Sequence, residues 1–147
     1  MLLQDRFRVH APVSQVWALL QDIPRLGACF PGVEGIEPDG PDAYRGSLTV
    51  GVGPIQAHFS GRAVILDRQP EAKMTARIEA EDTATQTRVR ADFVGHLAGA
   101  GEGTELAYTL DVALRGRLAQ FGTAVVNATA RKMAAEFARR LEEALQQ

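Results

Sequence analysis

The sequence predicts one α+β domain spanning 1–147: a curved antiparallel sheet of about seven strands wrapped around a long C-terminal helix, with two short helices after the first strand. Three observations carry this reading. Apolar residues alternate with period two from Val33 to Leu114. No glycine occurs beyond Gly122 and no proline beyond Pro70, so the C-terminal stretch has nothing to interrupt a helix. Between the first alternating segment and the rest, prolines and glycines leave room only for short helices.

Leu2 to Val9 alternate loosely and lead into Ala11-Pro12, after which Val16, Trp17, Leu19 and Leu20 follow helical spacing, predicting a helix from about Val13 to Gln21. Pro24 and the turn Phe30-Pro31-Gly32 confine a second helix to the residues between them. Six strands follow, marked by runs such as Leu48-Val50-Val52, Ile55-Ala57-Phe59 and Met74-Ala76-Ile78, with Val89-Ala91-Phe93 and Leu106-Tyr108-Leu110-Val112 after them. Turn residues at Pro38 to Pro41, Gly53-Pro54, Gln69-Pro70 and Gly99 to Gly103 separate them.

After Gly116, about 25 to 30 residues up to Leu145 form one helix, roughly 40 Å long at ~1.5 Å per residue. At 100° per residue, Val126, Ala130, Met133, Phe137 and Leu141 share one stripe. Leu118, Phe121, Val125 and Ala128 make a second apolar face, which is either ordinary core or the lining of a pocket entrance or partner interface.

With 46% hydrophobic and 23% charged residues the chain is too apolar for disorder. A net charge of −2 gives no basic field for nucleic acid. The single cysteine, Cys29, excludes an internal disulfide and suits a cytoplasmic location. No segment has the ~18 apolar residues of a membrane span.

Inward strand positions are often small: Gly46, Ala57, Gly61, Ala63, Ala76, Ala91 and Gly95, punctuated by Phe59, Phe93 and Tyr108. Small residues leave volume, although strand glycines equally mark curvature. A dry cavity of ~400 Å³ would cost about 10 kcal/mol, the whole stability of a typical domain, so any such cavity holds water, a ligand or a collapsing wall. Trp17, Phe30, Phe59, Phe93, Tyr108, Phe121 and Val125 are the candidate ligand-binding residues, placed in the cavity or at its mouth.

Motifs for catalysis are weak. His10, His58 and His96 lie on separate strands without the i+2 or i+4 partners of a metal site. Nothing brings a base to Cys29, which reads as a small buried filler beside Pro31. Gly51-Val52-Gly53-Pro54 lacks the Lys-Ser or Lys-Thr of a phosphate loop and precedes a strand. Glu79, Glu81 and Asp82, and Glu142 with Glu143, read as solvated faces. His58 and Arg62 have the opposite parity to Phe59 and Gly61 and should face outward. The expectation is no catalytic residue, no metal and no cofactor.

Four segments together resemble the G-subunit family of carbon monoxide dehydrogenase: Phe7 to Pro12 with Val16-Trp17, Ala28 to Glu34, the hairpin Val50 to Pro54, and Gly116 to Phe137. Gly116 to Gly122 and Ala130 to Ala134 are the most specific pieces, and coverage is nearly end to end. The resemblance implies the helix-grip fold of the START-related, polyketide-cyclase-like (SRPBCC) superfamily, with its hydrophobic ligand cavity. It further implies an accessory role beside a molybdenum hydroxylase of the carbon monoxide dehydrogenase type, in membrane recruitment or in handling a lipophilic acceptor such as a quinone. Membrane-recruiting members carry an apolar C-terminal extension; here the sequence stops at Gln147, so no autonomous anchor is expected, and peripheral membrane contact is left open. The expected function is therefore non-catalytic binding of a lipid or quinone-like ligand. Two alternatives remain: a cyclase-like enzyme, and a pure scaffold or recruitment role.

Overall fold

The computed structural model describes residues 1–146. Strand β1 (Leu2–Val9) is followed by helices α1 (Val13–Gln21) and α2 (Ile23–Gly27). Strands β2 (Val33–Pro38), β3 (Ala43–Val52), β4 (Ile55–Gln69), β5 (Lys73–Asp82), β6 (Thr87–Ala100) and β7 (Gly103–Arg115) then form a meander, and helix α3 (Thr123–Leu145) closes the chain. The sheet has seven strands in the order β1-β7-β6-β5-β4-β3-β2, antiparallel throughout. The seven-stranded helix-grip arrangement and the two short helices are those the periodicity predicted.

The predicted long helix needs a correction. It starts at Thr123 and runs 23 residues, about 35 Å. Arg117–Phe121 form a separate 3-10 turn. Gly122, at φ 87° and ψ 161°, divides them, because this extended positive-φ conformation, open to glycine, interrupts the helical backbone.

Two features bend the sheet. Between Ile65 and Asp67 the β4–β5 register shifts by a bulge, leaving Leu66 as the extra residue, 53% exposed. At Gly61 the neighbouring strand comes so close that a Cβ would stand 2.7 Å from both the Ala80 Cβ and the Glu79 carbonyl. Gly61 therefore permits close strand approach and leaves no volume. Gly95 is likewise covered, since the Phe93 ring lies where its Cβ would point, at 2.9 Å. Of the small inward residues, these two mark curvature and filling.

The core is divided. One cluster gathers Val9, Val16, Leu19, Leu20, Cys29, Ile65, Met74, Leu97 and Leu106 with Leu141 and Leu145 of α3. A second, smaller one holds Val52, Ala57, Phe59 and Leu118, with Phe121 and Val125 packed on it. The first ties α1, α2 and the end of α3 to the sheet; the second joins the β3–β4 hairpin to the 3-10 turn.

The second apolar face is therefore mostly core. Leu118 is 1% exposed, and Phe121 and Val125 pack on the second cluster, while Ala128 is exposed.

Candidate functional site

Strand register places the inward side chains in rows across the sheet. One row runs Tyr44, Ala63, Ile78, Ala91, Val112 from β3 to β7. The row on one side, Gly46, Gly61, Ala80, Val89, Leu114, meets the second cluster through its last three members. On the other side lie Ile65, Ala76, Phe93 and Leu110, of which the first three join the first cluster.

The row in between belongs to neither cluster. Ala63, Ile78 and Val112 are only half-buried although they face the helix side, and Leu110 beside them is the same. On α3, Val126, Ala130 and Met133 are also half-buried and in neither cluster, although they share a stripe with Phe137 and Leu141, which are packed. An apolar band thus crosses the middle of the cup without closing on itself.

Phe93 adds to the opening, because its ring leans over Gly95, away from Ala91 and the unfilled row.

The seven predicted ligand-binding residues separate into two groups. Trp17, Phe93 and Tyr108 pack around the first cluster, with Phe93 and Tyr108 stacked at 6.3 Å. Phe30 joins them through Phe137, ring centroids 4.2 Å apart. Phe59, Phe121 and Val125 are together in the second cluster, and Phe59 is 5% exposed. The hairpin tip closes over this group, since a Cβ on Gly53 would lie 3.6 Å from the Phe121 ring and 3.8 Å from Val125. The two groups bracket the band from opposite ends. Sequence reasoning missed the band itself, namely Ile78, Leu110, Val112 and Met133, because alternation reveals which residues point inward but not which of them align.

The polar groups around the cup are structural. Asp82, read from sequence as solvated, is 4% exposed. Its carboxylate accepts the Thr85 hydroxyl at 2.8 Å and the Ala84 N–H at 3.1 Å. The Thr85 bond is the main cause holding its carboxyl below the usual range, against the opposing effect of desolvation. Thr85 also bonds to Thr87 Oγ1, which accepts the Leu118 N–H at 3.3 Å and so fastens the β5–β6 turn to the 3-10 turn.

Glu142 is likewise not simply solvated. It accepts both the backbone N–H of His10 at 3.2 Å and its ring at 2.9 Å, tying the end of β1 to α3. His58 and Arg62 face outward as their parity predicts, on Thr49 and Asp39. Cys29 is buried beside the Arg25 carbonyl, and desolvation pushes its thiol up, partly offset by Arg25 and Arg140. Among the described residues no cluster of His, Cys, Asp and Glu is arranged to hold a metal. No helix among them is long and apolar enough to cross a membrane. Two open depressions of about 390 and 500 Å³ flank the β5–β6 turn, but Glu81, Asp82, Gln86, Arg88 and Arg117 make their walls polar.

A curved seven-stranded antiparallel sheet with a long C-terminal helix and two short helices after the first strand is the architecture of START-like proteins. A START superfamily protein from Mycobacterium smegmatis superposes with a TM-score of 0.78 at 13% identity, over 99% of this chain and 97% of that one. A conserved protein from Geobacillus kaustophilus reaches 0.92 at 21% identity, over 99% and 95%. The Zhui aromatase/cyclase from Streptomyces sp. R1128 gives 0.70 at 17%, over 99% and 93%. These likenesses establish the fold. No curated protein matches the sequence. The chain belongs to the CoxG family, the G-subunit family of carbon monoxide dehydrogenase, whose model matches residues 6–146.

Proposed function

We propose that this protein binds a small lipophilic molecule, of lipid or quinone type, reversibly in the apolar band between the two core clusters and presents it to a partner enzyme. The carrying observation is that Ala63, Ile78 and Val112 stay partly exposed on the inward face and, like Val126, Ala130 and Met133 of α3, belong to neither core cluster. Water against such a surface is readily displaced by an apolar ligand. Burying ~300 Å² at ~25 cal/mol per Å² yields roughly 7 kcal/mol before the costs of association, so micromolar affinity is the upper expectation.

The family name supports an enzyme of the carbon monoxide dehydrogenase type as the partner, and the single free cysteine suits a cytoplasmic setting. Binding without catalysis is the better reading of this lining, because apart from Tyr44 it offers only alkyl and thioether side chains, and the buried Cys29 thiol is pushed away from its nucleophilic form. A structural neighbour is an aromatase/cyclase, so turnover is part of the test.

Trp17 is the chain's one tryptophan and borders the first cluster, so its fluorescence reports the cup. Titration with a menaquinone analogue should saturate and reverse on dilution, with the ligand recovered unchanged. Failure to bind any lipophile would remove the carrier reading; a chemically altered ligand would replace it with an enzyme. Pull-down from the source cell should recover dehydrogenase subunits, and their absence would remove the partner.

A further inference from the structure

Both tyrosines of the chain stand on the concave face: Tyr44 opposite Ala63, and Tyr108 between Gly95 and Asp5. Each is half-buried. The hydroxyls of Thr85, Thr87, Thr104 and Thr129 all donate a hydrogen bond within the chain. Neither tyrosine hydroxyl does so among the described residues, yet every fully buried side-chain nitrogen or oxygen among them has a partner. A hydroxyl without one is therefore accessible, and strand register puts both residues on the concave face of the sheet.

The two differ in how they are held. The Tyr108 ring stacks on Phe93 at 6.3 Å and 26° and packs against the first cluster, so its orientation is fixed. Tyr44 is in neither cluster. Burial, with the Asp5 carboxylate adding to it, pushes the Tyr108 phenol up, so it stays protonated and able to donate. Asp5, directly across from Tyr108 on β1, also brings a negative charge to this end of the sheet, which disfavours an anionic ligand group there and favours a neutral acceptor. In an otherwise apolar site, a single fixed donor orients the ligand and discriminates against analogues that lack its acceptor.

We propose that the Tyr108 hydroxyl is the donor that recognises a neutral carbonyl oxygen on the otherwise apolar ligand of the cup. This rests on the binding reading above and adds the chemical class: an uncharged ketone or quinone carbonyl, in preference to a bare hydrocarbon or a carboxylate.

Three probes of one ring skeleton test it: fluorenone, fluorene and fluorene-9-carboxylate, titrated at about pH 7 into wild type, Tyr108→Phe and Tyr44→Phe. Circular dichroism melts establish that each variant is folded. Wild type should bind fluorenone tightest and the carboxylate weakest. Tyr108→Phe should weaken fluorenone about fivefold to tenfold, the loss of one hydrogen bond, and leave fluorene unchanged. Equal losses for fluorenone and fluorene, no loss for either, selective loss in Tyr44→Phe instead, or tightest binding of the carboxylate would each overturn the assignment while leaving the carrier intact. Wild type binding none of the three would overturn both.

Discussion

The rings of Phe30 and Phe137 stack with centroids 4.2 Å apart and planes 18° from parallel, joining the loop after α2 to the C-terminal half of α3. Phe30 is 38% exposed, so the contact lies at the surface, and it bridges two elements that otherwise border the apolar band. An offset stack of this kind contributes about 0.5–1.5 kcal/mol beyond buried area. Phe30→Ala should therefore destabilise the domain by about 1 kcal/mol in urea unfolding. It should also speed hydrogen exchange around Ala28 to Val33 and raise both on- and off-rates of a bound lipophile. Unchanged exchange rates would mean that the stack does not restrain the entrance.

The open band makes an unusual prediction for core mutagenesis. In a filled core, enlarging alanine to leucine typically costs about 1–3 kcal/mol of overpacking. Ala63→Leu points into the unfilled row, so the melting temperature should hold or rise while lipophile affinity falls at least about tenfold. A large loss of stability would show that no usable space lies above Ala63.

Thr87 is 0% exposed and its hydroxyl is the acceptor for the Leu118 N–H. Thr87→Val keeps the shape and leaves that buried N–H without its acceptor, at a cost of about 1–3 kcal/mol. Thr87→Ser retains the acceptor and should cost less. Urea midpoints of the pair measure the difference, and equal losses would point to the methyl group and away from the hydrogen bond.

Acid should weaken the domain through two glutamates on α3. Hydrogen bonds from Arg139 and Arg140 hold the Glu136 carboxyl down to about 2. Glu142 is opposed by desolvation, but its bonds from His10 and Gln146 together outweigh that and lower it. Both folded values lie below the unfolded one, about 4.3. Their stabilisation is thus complete above that pH and lost as pH falls through it towards the folded values. Urea midpoints should drop between about pH 5 and pH 2, and Glu136→Gln with Glu142→Gln should flatten this slope. An unaltered slope in the double variant would place the acid sensitivity elsewhere.

Periodicity and chain breakers by themselves determined the fold of this protein. Alternation in β3 to β7, the prolines around α2 and the uninterrupted stretch before Leu145 are local signals, each enforced by the backbone geometry of a few adjacent residues. Even the outward positions of His58 and Arg62 followed from parity alone, and the motifs from Phe7 to Phe137 indicated the family. Tertiary structure decided the rest, because it depends on register between distant segments. Only pairing across the bulge at Leu66 aligns Ala63 with Ile78, Ala91 and Val112 to leave a band uncovered. Gly61 looked like vacant volume, yet the approach of Ala80 fills it. Asp82 looked solvated until Thr85 and Thr87 closed over it. The positive-φ Gly122 detached Leu118 and Phe121 from the helix and turned them into core. A side chain's face is written in its neighbours along the chain; whether anything covers that face depends on residues far away in sequence.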